Sequence, residues 1–431
     1  MQIDSPTLRP ENYRPRLADR LLEHLLGVTG AVVVDGPKWC GKTWLARNQA
    51  RSEVLLQDPT ANYRNRRRAT EEPLSLLAGA QPRLIDEWQD APAIWDAVRL
   101  QVDQAPGVGQ FILTGSSTFS EHATAHSGTG RISRLRLWPL SSTETGLSTG
   151  QVSLHGLLRG VQLPSATGQA TEESLLNAVL VGGWPSSPGM PVSQAMALPA
   201  LYLDGLVHSD AARLDGGQRD PDKLRALIAA VGRTTATVAT NATLGRDLEA
   251  VTGQSLAPNT ITGYLSVLTR LYVLVSIEAW APALRSPVRL RQTPKRMLVD
   301  PSLAAAAMNA TPDKLVDDPK TTGFLFENLC LRDLSVYCAM NGARLSHYRD
   351  NSGLETDAIV TAPTGEWAGI EIKLGAHRVD QGAASLIRLR DKMAAGGQRA
   401  PAFLAVVVGT GEFAHVRPDG VTVIPFDALG P

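Results

Sequence analysis

Gly36-Pro37-Lys38-Trp39-Cys40-Gly41-Lys42-Thr43 carries the spacing GxxxxGK[ST]. In a chain of 431 residues with 38 glycines and few lysines, that spacing arises by chance in roughly one such sequence in a hundred. The apolar run AVVVD precedes it and the helix-forming WLARNQA follows. This is the setting in which backbone N–H groups and a helix N-terminus face phosphates. Lys42 is then placed to reach the β- and γ-phosphates, and the Thr43 hydroxyl to ligate Mg²⁺. Trp44 follows directly, and residues 36–44 form the candidate nucleotide cradle. Downstream, the run Leu84-Ile85 ends in Asp86 and Glu87, which suits a metal-holding acid and a water-polarising acid respectively. Phe111-Ile112-Leu113 ends in Thr114-Gly115-Ser116, so Thr114 and Ser116 are candidates to sense the γ-phosphate. Gly130-Arg131-Ile132 supplies a candidate arginine finger toward a neighbouring subunit.

A second set is more dispersed. Asp357 lies in LETDAIV, and Glu371-Ile372-Lys373 lies in WAGIEIKLG. Strand alternation puts Glu371 and Lys373 on one face. The tripeptide [DE]xK alone carries little weight, since composition predicts about one by chance, and Asp318-Pro319-Lys320 is a second instance. The setting resembles the D…ExK site of PD-(D/E)xK nucleases. That resemblance implies that Asp357 and Glu371 hold Mg²⁺ while Lys373 stabilises phosphate charge, with Glu327 as an accessory acid and Gln381 as a further candidate. The competing reading is a hairpin with charges on its solvent side.

The elements that must position these residues fall into three parts. Up to about residue 150, short apolar runs alternate with amphipathic stretches, the pattern of an α/β domain with a parallel sheet. Residues 171–300 read as mostly helical. There Ile261, Leu265, Leu268 and Tyr272 share one helix face, and Pro258 and Asn259 mark the turn and cap. Residues 315–431 mix helices and strands. Between 281 and 299 the charged residues are Arg285, Arg289, Arg291, Lys295 and Arg296, with no acid. This basic segment follows the helix-turn-helix-like stretch where a wing would lie, so it is the candidate DNA contact, with Thr260, Thr262 and Arg270 toward the nucleic-acid backbone. Arg64, Arg66, Arg67 and Arg68 read as a solvated helix face.

Lys+Arg and Asp+Glu both number 42, which argues against a basic nucleic-acid packaging protein but permits a local patch. Three cysteines without a CxxC pair support neither a disulfide framework nor a cysteine zinc site. The eight histidines show no HExxH spacing. A polar N-terminus and the lack of a long apolar run predict no secretory signal and no membrane span, and hence a cytoplasmic protein.

Taken together, GPKWCGKT, LIDEWQ, ILTGSS, GRI, WPLSSTE, VGGWP and the LETDAIV…IEIK pair resemble the AAA-type ATPases that carry a DUF4143 domain. The resemblance spans nearly the whole chain. It implies an AAA-like P-loop ATPase core at 1–150 and a winged-helix-like domain at 171–300. It implies a restriction-endonuclease-like domain at 315–431. ATP and Mg²⁺ are the implied cofactors, and the implied assembly is a homo-oligomer with Arg131 at the subunit boundary. Two outputs stay open: a nucleotide-driven switch or motor acting on DNA, with or without cleavage, and a signalling or scaffold ATPase that holds a protein partner such as a toxin.

Overall fold

The computed structural model describes residues 6–118, 127–215, 219–282 and 292–431. The chain forms two compact units, one of residues 1–139 with 270–272 and one of 140–269 with 273–431. The second and third parts read from the sequence therefore share a single unit.

The first unit is a parallel sheet, ordered β2-β3-β4-β1-β5. Its strands are β1 (Ala31–Asp35), β2 (Ser52–Leu55), β3 (Arg83–Asp86), β4 (Phe111–Gly115) and β5 (Ile132–Arg136). Every residue of β1 and β4 is buried, as expected for central parallel strands covered on both faces. On one face Val33, Ile85 and Leu113 pack with Trp88, Ile94 and Trp95. On the other, Val32, Val34 and Ile112 pack with Leu22, Leu26 and Leu45. The helix Ala18–Leu26 precedes β1, and Lys42–Gln49 follows the loop after it.

In the second unit, helices Pro221–Arg233 and Asn241–Thr252 are followed by a helix beginning at Pro258 and by a two-stranded antiparallel pair. That pair is β7 (Leu274–Ile277) with β8 (Lys295–Leu298). A short strand β6 (Val152–Ser153) pairs with β15 (Leu429–Gly430). The helix Pro319–Met340 is capped by Asp318, whose side chain accepts from Thr321 N at 3.1 Å, with proline at its first position. It leads into a six-stranded mixed sheet, β13-β14-β12-β11-β10-β9. Strands β9 (Arg344–Arg349), β10 (Glu355–Thr361) and β11 (Trp367–Gly375) run antiparallel. The helix Val379–Ala395 then crosses to β12 (Phe403–Thr410), parallel to β11, and β14 (Thr422–Pro425) extends the parallel part, with β13 (His415–Val416) at the edge.

Two buried networks knit this unit together. Arg332 donates to Asp300 Oδ2 at 2.9 Å and to Asp333 Oδ1 at 2.7 Å, and all three side chains are almost fully enclosed. Asp300 also accepts from Gly183 N, and Trp184 Nε1 donates to Ser302 Oγ. The VGGWP segment is thereby fastened to residues 300–302. Arg332 and Asp333 belong to the 315–431 stretch and Asp300 to the 171–300 stretch. This buried charge network ties the two stretches together within one compact unit. No helix among the described residues is long and apolar enough to cross a membrane.

Candidate functional site

In the first unit the loop 36–43 leaves β1 at its carboxyl end. A Cβ on Gly36 would lie 2.3 Å from Leu137 O, so only glycine fits. Gly41 adopts φ 96° as the N-cap of Lys42–Gln49, and Trp39 is also left-handed at φ 62°. The loop therefore ends on a helix whose first N–H groups have no partner within it, the arrangement that attracts phosphate. Buried Arg16 braces the loop from behind, donating to Cys40 O and Trp138 O at 2.9 Å each. Lys42 is buried and its Nζ donates to Pro37 O at 2.8 Å. Cys40 is buried, and burial pushes its thiol up. Lys38 is partly buried, whereas Trp39 and Trp44 are exposed large apolar side chains beside the cradle.

Adjacent strands β3 and β4 bring the acids and hydroxyls together. Thr43 Oγ1 donates to Asp86 Oδ1 at 2.8 Å, and Thr114 Oγ1 donates to the same oxygen at 2.5 Å. Thr114 also accepts from Glu87 N at 3.1 Å. Glu87 has φ 56°; its carboxylate accepts from Ser116 Oγ at 2.8 Å and from Gln89 Nε2. Thr114 thus contacts Asp86, and Ser116 contacts Glu87. Burial raises Asp86 above the usual carboxylate range, while the Thr114 and Thr43 hydroxyls pull it back. Gln89 was not singled out in the sequence, although it stands two residues past Glu87.

Arg131 immediately precedes β5, and its carbonyl accepts from Ala31 N, the first residue of β1. It stands at the opposite end of the sheet from the loop, about 15 Å along a five-residue strand. Reach to its own chain's loop is excluded by that placement. Its Nε pairs with Asp103 Oδ1 at 2.7 Å, half exposed. Closer to the loop, Arg134 pairs with Asp35 Oδ2 at 2.6 Å and lies over the Trp95 ring. Burial raises Asp35, with Arg134 opposing. Arg136 stacks on Trp138 and Tyr272, and Arg270 donates to Thr118 O at 3.3 Å. Arg270 is thus part-buried, with its Nε turned to a backbone carbonyl of its own unit.

In the second unit, three carboxylates and two lysines converge. Glu371 and Lys373 share a face of β11, and Lys373 Nζ lies 2.6 Å from Glu371 Oε2. Asp357 sits where three steps along β10 oppose two along β9, a bulge that re-aims its side chain. Asp357 Oδ2 accepts from Ile372 N at 2.8 Å and lies 3.4 Å from Lys373 Nζ. Glu327, from Pro319–Met340, accepts from Lys295 Nζ at 2.6 Å. That same ammonium is 3.3 Å from Asp357 O and 3.8 Å from Asp357 Oδ1. The cluster opens onto a cavity of about 940 Å³ whose wall includes Lys320, Thr237 and His377.

Burial first, then the neighbouring Asp357, pushes Glu327 up to about 7 and Glu371 up to about 8. Burial would raise Asp357 too, but Lys295 and Lys373 outweigh it and hold that carboxyl low. Both lysines are raised because the carboxylates outweigh their own burial.

Three expectations need correction here. Lys295 is not a surface cation: it is buried against Glu327, because a buried carboxylate draws the nearest ammonium inward. Arg296 is half-buried and donates to Ala239 O at 3.1 Å, so it packs within its own unit. Gln381 is exposed and accepts from Arg378 Nε and Nη2, outside the cluster, because its place on the helix turns it to solvent. Arg285, Arg289 and Arg291 lie outside the described residues. Thr260 and Thr262 are exposed on their helix. Lys295 could have been suspected from the scarcity of lysine, but nothing local to it names Glu327 as its partner.

Residues 29–146 match the family model of the AAA domain. Residues 322–429 match a domain of unknown function, DUF4143, and residues 172–314 match another, DUF8612. Uncharacterized proteins of Mycobacterium bovis and Mycobacterium tuberculosis are each 25% identical over 376 residues, covering 86% of this chain and 77% of theirs. Among solved structures, the Walker-type ATPase of Pyrococcus abyssi is 15% identical, covers 70% of this chain and 98% of its own, and has a TM-score of 0.45. The Orc1 protein of Aeropyrum pernix, solved in complex with DNA, is 15% identical over 72% of this chain and 94% of its own, with a TM-score of 0.24.

Proposed function

From a chain that carries an AAA domain and a DUF4143 domain, we propose a Mg²⁺-dependent ATPase that works as a nucleotide-driven switch with its output on DNA. The observation that carries this reading is the meeting of Thr43, Thr114 and Asp86 on one carboxylate oxygen, at 2.8 and 2.5 Å, beside the loop 36–43. A hydroxyl and a carboxylate oxygen in contact form a hard-oxygen donor set that suits Mg²⁺. Mg²⁺ held by Thr43 and Asp86 would neutralise charge on the phosphates.

The chain's own residues do the rest. The loop N–H groups bind the phosphates, and Lys42 exchanges its contact with Pro37 O for phosphate oxygens. Glu87 orients the attacking water and accepts its proton, with Ser116 and Gln89 fixing its carboxylate. Thr114 spans Asp86 and the Glu87 backbone, so it registers changes at either. Arg131 acts in trans, at the active site of a neighbouring copy.

The output reading is supported by three helices followed by the β7–β8 pair, with Arg285, Arg289 and Arg291 in the stretch between those strands. The mixed sheet preceded by Pro319–Met340 and bridged by Val379–Ala395 supports an endonuclease-like arrangement for the C-terminal part. The test is ATP turnover with no DNA, with single-stranded DNA and with duplex. Turnover should rise with DNA, the rise should fade with salt as phosphate contacts are screened, and reversing Arg289 and Arg291 to glutamate should abolish it. Turnover indifferent to DNA but raised by a protein partner would replace this output with the scaffold reading. Wild-type ATP affinity in Lys42→Ala would remove the ATPase reading itself.

A further inference from the structure

Taken without Lys295, the C-terminal cluster would hold three carboxylates, Glu327, Asp357 and Glu371, against the single ammonium of Lys373. Two uncompensated negative charges in so enclosed a place would demand a dication, because isolated buried charge is strongly unfavourable. Lys295 changes that balance. It arrives from β8, outside the mixed sheet, and its side chain is 8% exposed. It contacts Glu327 Oε1 at 2.6 Å and approaches Asp357 Oδ1 at 3.8 Å. Lys373 fills the other gap, 2.6 Å from Glu371 Oε2 and 3.4 Å from Asp357 Oδ2.

Each of the three carboxylates is therefore already approached by an ammonium, and Asp357 Oδ2 also accepts from the Ile372 N–H. Two ammoniums against three carboxylates leave one formal negative charge where one ammonium alone would leave two. Among the described residues, no group of three or more Asp, Glu, His or Cys is arranged to hold a metal ion. Mg²⁺ further requires near-octahedral oxygen contacts at about 2.1 Å, and the Lys295 ammonium, set between Glu327 Oε1 and Asp357 Oδ1, competes for those oxygens.

We infer that Lys295 replaces the divalent cation at this site, so that the endonuclease-like cluster is a metal-free latch, held by ammonium–carboxylate pairs, joining β8 to the helix Pro319–Met340 and the mixed sheet. The site then cuts no phosphodiester. The inference rests on the endonuclease-like reading of the sheet and is independent of ATP turnover.

Mn²⁺ binding to the full chain tests it by calorimetry and by loss of the free-ion paramagnetic signal. The background is Asp86→Asn without nucleotide, which removes the acid of the first unit's own candidate site. With Lys295 present, no Mn²⁺ site that depends on Asp357 should appear. Lys295→Met keeps the apolar stem and removes the charge, and it should gain one Mn²⁺ per chain that Asp357→Asn then abolishes. A folded Lys295→Met chain that gains no Mn²⁺ overturns the inference. So does an Asp357-dependent Mn²⁺ site with Lys295 intact, a measurement that needs no Lys295 variant to fold. Metal-dependent cleavage of DNA or RNA, absent in Asp357→Asn, overturns it as well.

Discussion

Thr114 and Asp86 lie on neighbouring strands, and the Thr114 hydroxyl donates to Asp86 Oδ1 at 2.5 Å while accepting from the Glu87 backbone N–H. One side chain therefore touches both acids that the proposed ATPase uses, one through its carboxylate and the other through its backbone. It also stands in direct contact with the oxygen that Thr43 shares.

Thr114→Val keeps the shape and removes the hydroxyl. It leaves the part-buried Glu87 N–H without this partner and removes a donor from Asp86, which costs up to about 1–3 kcal/mol, the figure for a fully buried unsatisfied group. ATP affinity should stay within severalfold of wild type, because the phosphate cradle is untouched, while turnover falls at least about tenfold as Glu87 loses its anchor. Phosphate release and nucleotide titration measure the two separately. Equal loss of both would place Thr114 in binding instead.

Arg131 stands at the far end of the sheet from its own chain's loop, so the proposed finger role requires a neighbouring copy. Arg131→Ala should lower turnover by about a thousandfold, the lower end of what arginine fingers contribute. Mixing Arg131→Ala with Lys42→Ala chains should restore part of the rate, since each supplies what the other lacks. Inactivity of every mixture, or a full rate in Arg131→Ala alone, would refute action in trans.

Stability near neutrality should fall as pH rises, and the sign follows from the second unit's acids. Glu327 and Glu371 hold their protons more tightly in the fold, at about 7 and about 8, than the 4.5 expected of an unfolded glutamate. The folded state then binds more protons than the unfolded one, and the stability this supplies is lost as pH climbs through the folded values. His347 runs the other way: burial and the nearby Lys295 lower it to about 4 from 6.5, so its contribution is complete above pH 6.5. Asp357, held low, acts only under acid conditions, and the raised lysines act only in strong base. Between pH 6.5 and 8 the melting temperature should therefore decline, with a limiting slope of about 1.4 kcal/mol per pH unit for each proton released. Glu371→Gln should flatten the decline, as thermal melts across that range will show.

Arg332 is 2% exposed and holds both Asp300 and Asp333. Arg332→Met preserves much of the volume but leaves two buried carboxylates without their cation, a loss of about 3–5 kcal/mol. Asp300 also accepts from Gly183 N and from the Ser302 backbone, so the VGGWP segment should become susceptible to proteolysis. Chemical denaturation reads the first effect and limited proteolysis the second. Wild-type stability in Arg332→Met would show that the network is dispensable.

The sequence by itself determined what is contiguous. A loop whose chemistry resides in its own backbone, one lysine and one hydroxyl is written in eight successive residues, and the apolar runs around it already name the parallel strands. The acids ending Leu84-Ile85 and the face shared by Glu371 and Lys373 follow from local alternation in the same way. What only the tertiary structure decided depends on charges meeting across long separations. Lys295 read as one more cation in a basic stretch, yet burial beside Glu327, 32 residues away, makes it part of the carboxylate cluster. Gln381 stood at the right spacing but its helix turns it to solvent. Arg332 and Asp300 looked like ordinary charged residues until packing enclosed them together. Two regions of distinct pattern became one unit for the same reason. Apolar periodicity fixes which face of each element is buried, but the partner of a buried charge is fixed only when the elements meet, because desolvation makes any unpaired arrangement too unfavourable to persist.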